Sequence, residues 1–335
     1  MTYRKPYILC FGSINIDEVY EVPHIVRSGQ TISSANRSIG PGGKGANQAY
    51  ALGVASNACF LAGCVGNDGL WILEDLEKAQ VDTSMTEHRP EGQTGRAIIQ
   101  LSKETRDNAI VLFPGVNREI SLDYIHKFIH EKRSESKWLV VQNEINSVDL
   151  IIQEAANLGN WSIVFNPAPC TPDIVRNYHL DKIHYLVVNE HEACDIYAQT
   201  GASSTSDYET IMRELAEKFP NLLGIIITLG GEGVCARFKY NRTSSAREYR
   251  LSAIQVQAVD TTCAGDAFVG YFVGSLATEW EKVEQKSEDT YFELVEKSLK
   301  IAMAAGALTV SKSGAMRSIP TLSEVKKKAA AEYSI

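Results

Sequence analysis

Two carboxylates and a run of small residues occur together in the segment Asp260-Thr261-Thr262-Cys263-Ala264-Gly265-Asp266, which follows the apolar alternation Ile254 to Val259. A helix that begins near Ala264 would leave its first backbone N–H groups unpaired at the positive end of the helix dipole. A phosphate or a developing oxyanion is favoured there. Asp266 would then lie beside the anion and could take a proton from an attacking hydroxyl, which indicates phosphoryl transfer. The plainer alternative makes Asp266 an ordinary first-turn acid and Asp260 part of a turn.

A glycine-rich segment lies far upstream, Gly40-Pro41-Gly42-Gly43-Lys44-Gly45-Ala46-Asn47-Gln48. Its glycines let the backbone approach a ligand closely, and Ala46 to Leu52 is predicted to form a helix whose start faces the same ligand. Gly40, Gly42 and Gly45 match G-x-G-x-x-G. No buried strand precedes them, however, and Lys44 is not followed by Ser or Thr. The segment therefore predicts neither a dinucleotide fingerprint nor a P-loop.

The N-terminal region contributes a third group of polar residues. Tyr7 to Phe11 is predicted to be a buried strand, and Asn15 and Asp17 follow its carboxyl end. Ligands of open α/β sheets bind at that end of the strands, and residues two apart point the same way in an extended chain. An amide and a carboxylate so placed suit the vicinal hydroxyls of a sugar.

Together these segments resemble the ribokinase family of carbohydrate kinases, also called the PfkB family. The resemblance runs through nearly the whole chain, and the glycine motif has the form typical of the ribokinases proper. Further matches occur in order along the chain: Gly63-Cys64-Val65-Gly66-Asn67-Asp68-Gly69, Gln142-Asn143-Glu144, Asn166-Pro167-Ala168-Pro169, Asn189-Glu190-His191-Glu192 and Thr228-Leu229-Gly230-Gly231-Glu232-Gly233.

The resemblance implies a role for each matching position. Asp266 would be the catalytic base, and Ala264 and Gly265, directly after Cys263, would form the anion hole. The residues implied to hold the sugar are Asn15, Asp17, Gly42, Gly43, Lys44, Asn47 and Glu144, together with Asp266 itself. The residues implied to bind ATP are Asn189, Thr228, Leu229, Gly230, Gly231, Glu232, Gly233 and Gly265.

Two cation sites are also implied by the resemblance. Asn189 and Glu192 correspond to the family's N-x-x-E pair, which organises Mg²⁺ and the phosphates of ATP. An activating K⁺ would be held by the Asp260 side chain, the carbonyls of Thr262, Thr309, Lys312 and Gly314, and the hydroxyl of Ser318.

Three positions differ from the family pattern. Cys263 stands where Ser, Ala or Gly is usual, Tyr271 replaces a small residue after Gly270, and Met303 occupies the position of an adenine-contacting Asn. Cys263 is small enough to keep the turn. Met303 affects the expected nucleotide selectivity and not the reaction.

The global composition agrees with this interpretation. The 335 residues are 44% hydrophobic, which is ample for a core, and the net charge of −8 argues against a nucleic-acid-binding protein. No apolar run approaches the length of a membrane span. The seven cysteines are scattered without a C-x-x-C, which favours a reducing compartment. We therefore expect a cytoplasmic protein, with the nucleus as a second compartment.

Strand-like and helical patterns alternate along the chain and predict an α/β fold, with a mainly parallel central sheet and helices on both faces. The predicted strands of this sheet are Tyr7 to Phe11, Ala58 to Ala62, Trp138 to Val141, Ile163 to Phe165, Tyr185 to Val188 and Gly224 to Thr228. We expect one ribokinase-like domain over residues 1–335. Two segments without helices, about 15–40 and 95–114, are predicted to pair as a small β-sheet lid over the sugar site. The family resemblance implies a homodimer through this lid.

His126 and His130 are four residues apart on a predicted helix. This spacing places both imidazoles on one face, as a metal site requires. The sequence shows no third ligand for them, so surface histidines are the favoured interpretation.

The function predicted from these features is an ATP-dependent sugar kinase, with D-ribose phosphorylated at O5 as the favoured reaction. Another substrate in the same family remains open, such as deoxyribose, a nucleoside or a hexose. A non-catalytic sugar-binding protein on the same fold is a further alternative. A nucleotide-dependent dehydrogenase is disfavoured because the glycine motif does not follow the first strand.

Overall fold

The computed structural model describes residues 7–55, 58–105, 107–132, 136–283 and 287–333. Its strands are β1 (Tyr7–Phe11), β2 (Asn15–Val22), β3 (Asn36–Gly42), β4 (Cys59–Gly66), β5 (Val81–Asp82), β6 (Thr86–Arg89), β7 (Gly95–Ser102), β8 (Asn108–Phe113), β9 (Ser136–Gln142), β10 (Ser162–Asn166), β11 (Tyr185–Asn189), β12 (Gly224–Thr228), β13 (Val234–Lys239) and β14 (Ala246–Leu251). Its α-helices are α1 (Lys44–Val54), α2 (Leu70–Lys78), α3 (Leu122–Lys132), α4 (Val148–Leu158), α5 (Ile174–Asn177), α6 (Glu190–Gln199), α7 (Tyr208–Lys218), α8 (Ala264–Val283), α9 (Glu288–Val310) and α10 (Leu322–Tyr333).

Among the described residues, the larger sheet has ten strands in the order β14-β13-β12-β11-β10-β9-β1-β4-β5, with β6 paired to β4. Its pairings are parallel from β12 through to β5, and β13 and β14 add an antiparallel edge. The chain leaves β1 towards β4 on one side and returns to β9 on the other. Such a switch in strand order opens a crevice at the carboxyl ends of the strands, where ligands bind in open α/β sheets.

Helices cover both faces of this sheet, and the strand residues alternate between two separate cores. Ile8 and Cys10 of β1 pack in one core, with α1, α8 and α9. Leu9 and Phe11 pack in the other, with α3, α4, α6 and α7. A strand buried on both faces is apolar throughout, which explains why β1 and its neighbours have continuous apolar sequences. The predicted mainly parallel sheet with helices on both faces is confirmed.

The smaller sheet has the order β3-β2-β7-β8 and forms the predicted lid. The parallel pairing of β2 with β7 joins the two distant chain segments in the register Asn15 to Gly95. Arg96 of β7 also donates a 2.7 Å hydrogen bond to Asp68 in the turn after β4, which connects the lid to the body. Because β2 already begins at Asn15, Asn15 and Asp17 belong to the lid strand.

One glycine of the motif sets the angle between the lid and α1. Gly43, between β3 and α1, has a φ of 89°, and a Cβ at this position would lie 2.7 Å from the backbone N of Asn15. A side chain here would be both strained and in collision. Gly43 therefore allows β3 to enter α1 directly against the residues that follow β1.

No helix within the described part of the chain is long and apolar enough to cross a membrane.

Candidate active site

Asp266 lies in the first turn of α8, as the sequence predicted, and is buried at 7% exposure. Both of its carboxylate oxygens accept hydrogen bonds from amides of α1: Asn47 Nδ2 donates at 3.0 Å and Gln48 Nε2 at 2.9 Å. These two bonds hold the carboxylate in one orientation at the start of the helix. Ala264 N, the first N–H of α8, donates to the Thr261 carbonyl at 3.4 Å, and the N–H groups of Gly265 and Asp266 follow it in the first turn.

Gln48 is a positioning residue to which the sequence analysis assigned no role. Its Nε2 also donates to Asn166 Oδ1 at 3.0 Å, and its Oε1 accepts a 2.7 Å bond from Gln142 Nε2. The amide is thus fixed by side chains from β9 and β10 while it holds Asp266. The sequence did contain a signal for this role, because Gln48 is the last residue of the glycine motif.

Glu144 lies at the carboxyl end of β9 and receives three hydrogen bonds at one oxygen. Ser13 Oγ donates at 2.6 Å, the backbone N of Lys44 at 3.1 Å and Asn15 Nδ2 at 3.5 Å. The carboxylate therefore joins the loop after β1, the start of α1 and the lid strand β2. This brings together three of the sugar-site residues that the sequence predicted.

Asn117 is a further buried polar residue that the sequence analysis missed. Its Nδ2 donates to Asn15 Oδ1 at 2.8 Å and to the Ile14 carbonyl at 3.1 Å, and its Oδ1 accepts from the Ile14 backbone N at 3.1 Å. It therefore orients Asn15. No local pattern around residue 117 predicts this, because the contact spans 102 residues.

Asp17 is buried against the glycine motif, and its surroundings raise its pKa. A Cβ on Gly42 would lie 2.1 Å from its Oδ2, so the glycine makes room for the carboxylate. Burial, together with the negative charges of Glu144 and Asp266, raises the pKa of Asp17 to about 7. A buried acid with a perturbed pKa in a cavity is typical of a functional site.

Lys44 supplies the positive charge among these acids. Burial by itself would lower the pKa of Lys44, but the charges of Asp266, Glu144 and Glu192 outweigh it and hold the pKa above its ordinary value. The ammonium group is therefore protonated at neutral pH. It can attract a phosphate into the same cavity as the Asp266 carboxylate.

Asn189 and Glu192 form a capping box at the start of α6. Asn189 Oδ1 accepts from the Glu192 backbone N, and Glu192 Oε2 accepts from the Asn189 backbone N, both at 2.9 Å. The pair thus has a structural role that the N-x-x-E spacing also predicts. Burial raises the pKa of Glu192 against the opposing effects of the capping bond and Lys44. Both residues line a polar cavity of about 240 Å³ with Lys44 and Asp266.

A second, mostly apolar cavity of about 320 Å³ meets this one at Gly265. Thr228, Gly230, Gly231 and Gly233 line it, as predicted for the nucleotide, and Met303 and Phe268 close its apolar side. Leu229 and Glu232 do not line it: Leu229 is buried in the core, and Glu232 is exposed. Met303 offers a thioether and no hydrogen-bonding amide to this cavity.

The other two departures from the family pattern fit their surroundings. Cys263 is buried just before α8 with a φ of 69°, a left-handed conformation that costs a non-glycine residue about 1 to 2 kcal/mol. Tyr271 is buried, and its hydroxyl donates to the Pro320 carbonyl at 2.5 Å. The tyrosine therefore satisfies its polar group while it fills the core between α8 and the chain before α10.

Three of the residues predicted to hold a monovalent cation, Asp260, Thr262 and Gly314, come together just before the start of α8. Asp260 Oδ2 accepts from the Gly314 backbone N at 3.1 Å, and its Oδ1 accepts from the Thr262 N at 3.0 Å. Two other predicted ligands are buried: Thr309 near the end of α9, and Ser318 between α9 and α10. The bond to Thr262 also shows that Asp260 stabilises a turn, as the plainer interpretation expected. The carboxylate thus ties the loop before α8 to the loop after α9.

These features together define a phosphotransferase that acts on an alcohol group. Residues 5–322 match the model of the family described as "pfkB family carbohydrate kinase". A ribokinase from Schizosaccharomyces pombe is 32% identical over 328 residues, which cover 95% of this chain and 96% of that protein. The chain belongs to the pfkB family of carbohydrate kinases.

Solved ribokinases share the fold over almost the full length. The crystal structure of ribokinase from Cryptococcus neoformans var. grubii in complex with ADP has a TM-score of 0.79 at 34% identity, covering 97% of this chain and 99% of that one. The structure of Arabidopsis thaliana ribokinase complexed with ribose and ATP has a TM-score of 0.78 at 25% identity, covering 97% and 98%.

Proposed function

We propose that this protein is an ATP-dependent kinase that phosphorylates D-ribose at O5 to give ribose 5-phosphate. The observation that carries the proposal is the position of Asp266, oriented through both oxygens at the start of α8, where the polar cavity meets the apolar groove. The ribokinase relatives, including one bound to ribose and ATP, support the choice of ribose.

In the proposed reaction, Asp266 takes the proton from the O5 hydroxyl as that oxygen attacks the γ-phosphorus of ATP. A P–O bond to ribose forms, the bond to the ADP oxygen breaks, and ADP leaves with its electron pair. The N–H groups at the start of α8 stabilise the charge on the transferred group, and positioning supplies most of the catalysis. Asn15, Asp17, Asn47 and Glu144 hold the sugar hydroxyls.

The Oδ1 atom of Asn47 is suited to bind a sugar hydroxyl. Asn47 Oδ1 has no hydrogen-bond partner within the described residues, although Asn47 Nδ2 is bonded to Asp266. A buried acceptor without a partner is costly, and a ligand hydroxyl can satisfy it.

Asn189 and Glu192 would organise Mg²⁺ with the phosphates. The capping bond occupies Oε2 of Glu192 and leaves Oε1 for an ion. Carboxylate oxygens are ligands that suit Mg²⁺. When bound, the ion neutralises charge on the phosphates of ATP. Lys44 would contribute a fixed positive charge that also neutralises the phosphates.

The proposal is tested by a coupled ATP turnover assay with a panel of sugars. Ribose should exceed 2-deoxyribose by about 10-fold or more in kcat/KM, because buried polar groups left without a hydroxyl partner cost roughly 1 to 3 kcal/mol each. A preference for deoxyribose, a nucleoside or a hexose would replace the named substrate. Binding of ribose without any ATP turnover would instead identify a sugar-binding protein.

Potassium should raise turnover if Asp260 and the neighbouring carbonyls hold a monovalent ion that orders the start of α8. Sodium, with its smaller radius, should do less. The measurement is the initial rate in K⁺, Na⁺ and cation-free buffer, and the matched variant is Asp260→Asn, which should reduce the response to K⁺. Equal rates for the native protein in all three buffers would exclude an activating monovalent-cation site at Asp260.

The lid should hold two chains together as a homodimer. Ile98, Ile110, Val111, Leu112 and Phe113 of β7 and β8 are all more than two-fifths exposed, Val111 at 63%, and exposed apolar groups so concentrated mark an interface. Light scattering should give about twice the 36.9 kDa chain mass. Val111→Asp should shift the mass to the monomer, while Leu122→Asp, at an exposed position on α3, should not. A native monomer at micromolar concentration would contradict this arrangement.

The cytoplasm is the compartment we propose. All seven cysteines are free thiols, five of them buried, which a reducing environment preserves.

A further inference from the structure

Three side chains with metal-binding atoms meet on the surface between α3 and α4. His126 and His130 come from α3 and Glu154 from α4, and their nearest ligand atoms all lie within 4.8 Å of one another. His126 Nδ1 is 3.2 Å from Glu154 Oε2, and His130 Nε2 is 3.6 Å from the same oxygen. Glu154 therefore supplies the third potential ligand atom that the sequence did not reveal.

The packing of the two helices creates this cluster. Ile125 and Ile129 of α3, and Ile151, Ile152 and Ala155 of α4, are buried in the core on this face of the sheet. The neighbouring residues 126, 130 and 154 are thereby placed along the outer groove between the helices. The histidine side chains are 51% and 49% exposed, and that of Glu154 is 25% exposed. An ion from solvent can reach all three.

We propose that His126, His130 and Glu154 form a binding site for a divalent transition-metal ion of the zinc type. Bonds of about 2.0 to 2.2 Å around a tetrahedral ion place neighbouring ligand atoms roughly 3.4 Å apart. The two His–Glu separations already lie close to this distance. Water would complete the coordination, because both histidines face solvent.

The donor set determines which ion the site selects. Imidazole nitrogens suit Zn²⁺, Cu²⁺ and Ni²⁺, whereas Mg²⁺ and Ca²⁺ prefer oxygen ligands alone. A simple ion pair would also bring a histidine to Glu154. An ion pair, however, needs one imidazole, and a surface pair contributes little stability. Here two histidines one turn apart converge on a single carboxylate oxygen.

Binding at this site would join α3 to α4 at a position separate from the kinase residues. None of the three side chains lines the cavities around Asp266 or the nucleotide groove. An ion that binds the folded chain and not the unfolded one raises thermal stability by mass action. The site would therefore act as a stabilising clamp, independent of whether the chain phosphorylates ribose.

Calorimetric titration of the chelator-treated full chain with ZnCl₂, in buffer with excess Mg²⁺ and no nucleotide, tests the proposal. We expect one zinc ion per chain at this site and a higher melting temperature in zinc. His130→Ala and Glu154→Gln should each weaken binding by at least about 10-fold, since even partners that only support a ligand cost 10- to 100-fold when removed.

Asp149→Asn is the matched control, because Asp149 is an acid on α4 outside the cluster. It should bind zinc like the native chain. Native-like zinc affinity in His130→Ala and Glu154→Gln would place the ion elsewhere, for example at the cysteines, and would overturn the proposal. No zinc binding by the native chain would overturn it as well. The melting temperature in zinc gives a second readout that does not depend on kinase activity.

Discussion

Replacing Asp266 by Asn should lower turnover of ribose and ATP by about 10²- to 10⁴-fold, the usual contribution of a positioned general base. The substitution keeps the size and polarity of the side chain and removes its capacity to accept a proton. The measurement is kcat in the coupled assay under saturating substrates. Ribose binding by calorimetry should survive much better, because Asn15, Asp17, Asn47 and Glu144 remain.

The local structure should tolerate this substitution, so the effect can be assigned to the chemistry. The new amide would place a donor against Asn47 Nδ2 or Gln48 Nε2, which both donate to Asp266 in the native chain. Asn47 can rotate its amide and present Oδ1, which otherwise has no partner within the described residues. Asp289→Asn, in the first turn of α9, is the matched control and should keep the native rate. A folded Asp266→Asn enzyme with nearly native turnover would exclude the proposed mechanism.

Asp17→Asn should stabilise the ligand-free protein while it impairs catalysis. The folded pKa of Asp17 is about 7 against an ordinary value of 3.8. The stability that the neutral acid confers is therefore fully present below pH 4 and is lost as the pH rises through about 7. Above pH 7 the buried charge costs at most about 4 kcal/mol, since the pKa rises from 3.8 to about 7 and one pKa unit corresponds to about 1.4 kcal/mol. An amide carries no such charge.

Thermal unfolding at pH 5 and pH 8 measures this difference. The melting temperature of Asp17→Asn should exceed that of the native chain by a larger margin at pH 8 than at pH 5. The kcat/KM for ribose should fall by about 10²-fold, as expected when two hydrogen bonds that ribose hydroxyls donate to a charged carboxylate are weakened. Asp123→Asn, at an exposed acid of α3, should show neither effect. An equal margin at both pH values would contradict the raised pKa.

Local patterns of the sequence determined most of the fold. The apolar run from Gly224 to Thr228 predicted β12 at its observed bounds, because a buried parallel strand must be apolar on both faces. The predicted strand from Ala58 to Ala62 was too short: β4 begins at Cys59 and continues to Gly66. Its last residues are glycine-rich and weakly strand-like by themselves, and they remain extended because Gly63 to Gly66 pair with β6.

The sequence by itself also determined which chemistry the protein can perform. The small residues before Asp266 predicted a helix start with a carboxylate in its first turn, and α8 begins at Ala264. The glycine motif predicted a close backbone approach to a ligand, which stays a prediction; within the protein, Gly43 has a positive φ and lies close to the backbone of Asn15. These features depend on a few consecutive residues, so local rules predict them.

Only the tertiary structure decided which side chains meet. Glu144 receives a hydrogen bond from Ser13 across 131 residues, and Asn47 one to Asp266 across 219. Glu154 joins His126 and His130 only because α3 and α4 pack side by side on one face of the sheet. The pKa of Asp17 likewise depends on burial and on two distant carboxylates. Such contacts follow from strand order and helix packing, and no spacing within a single segment contains that information.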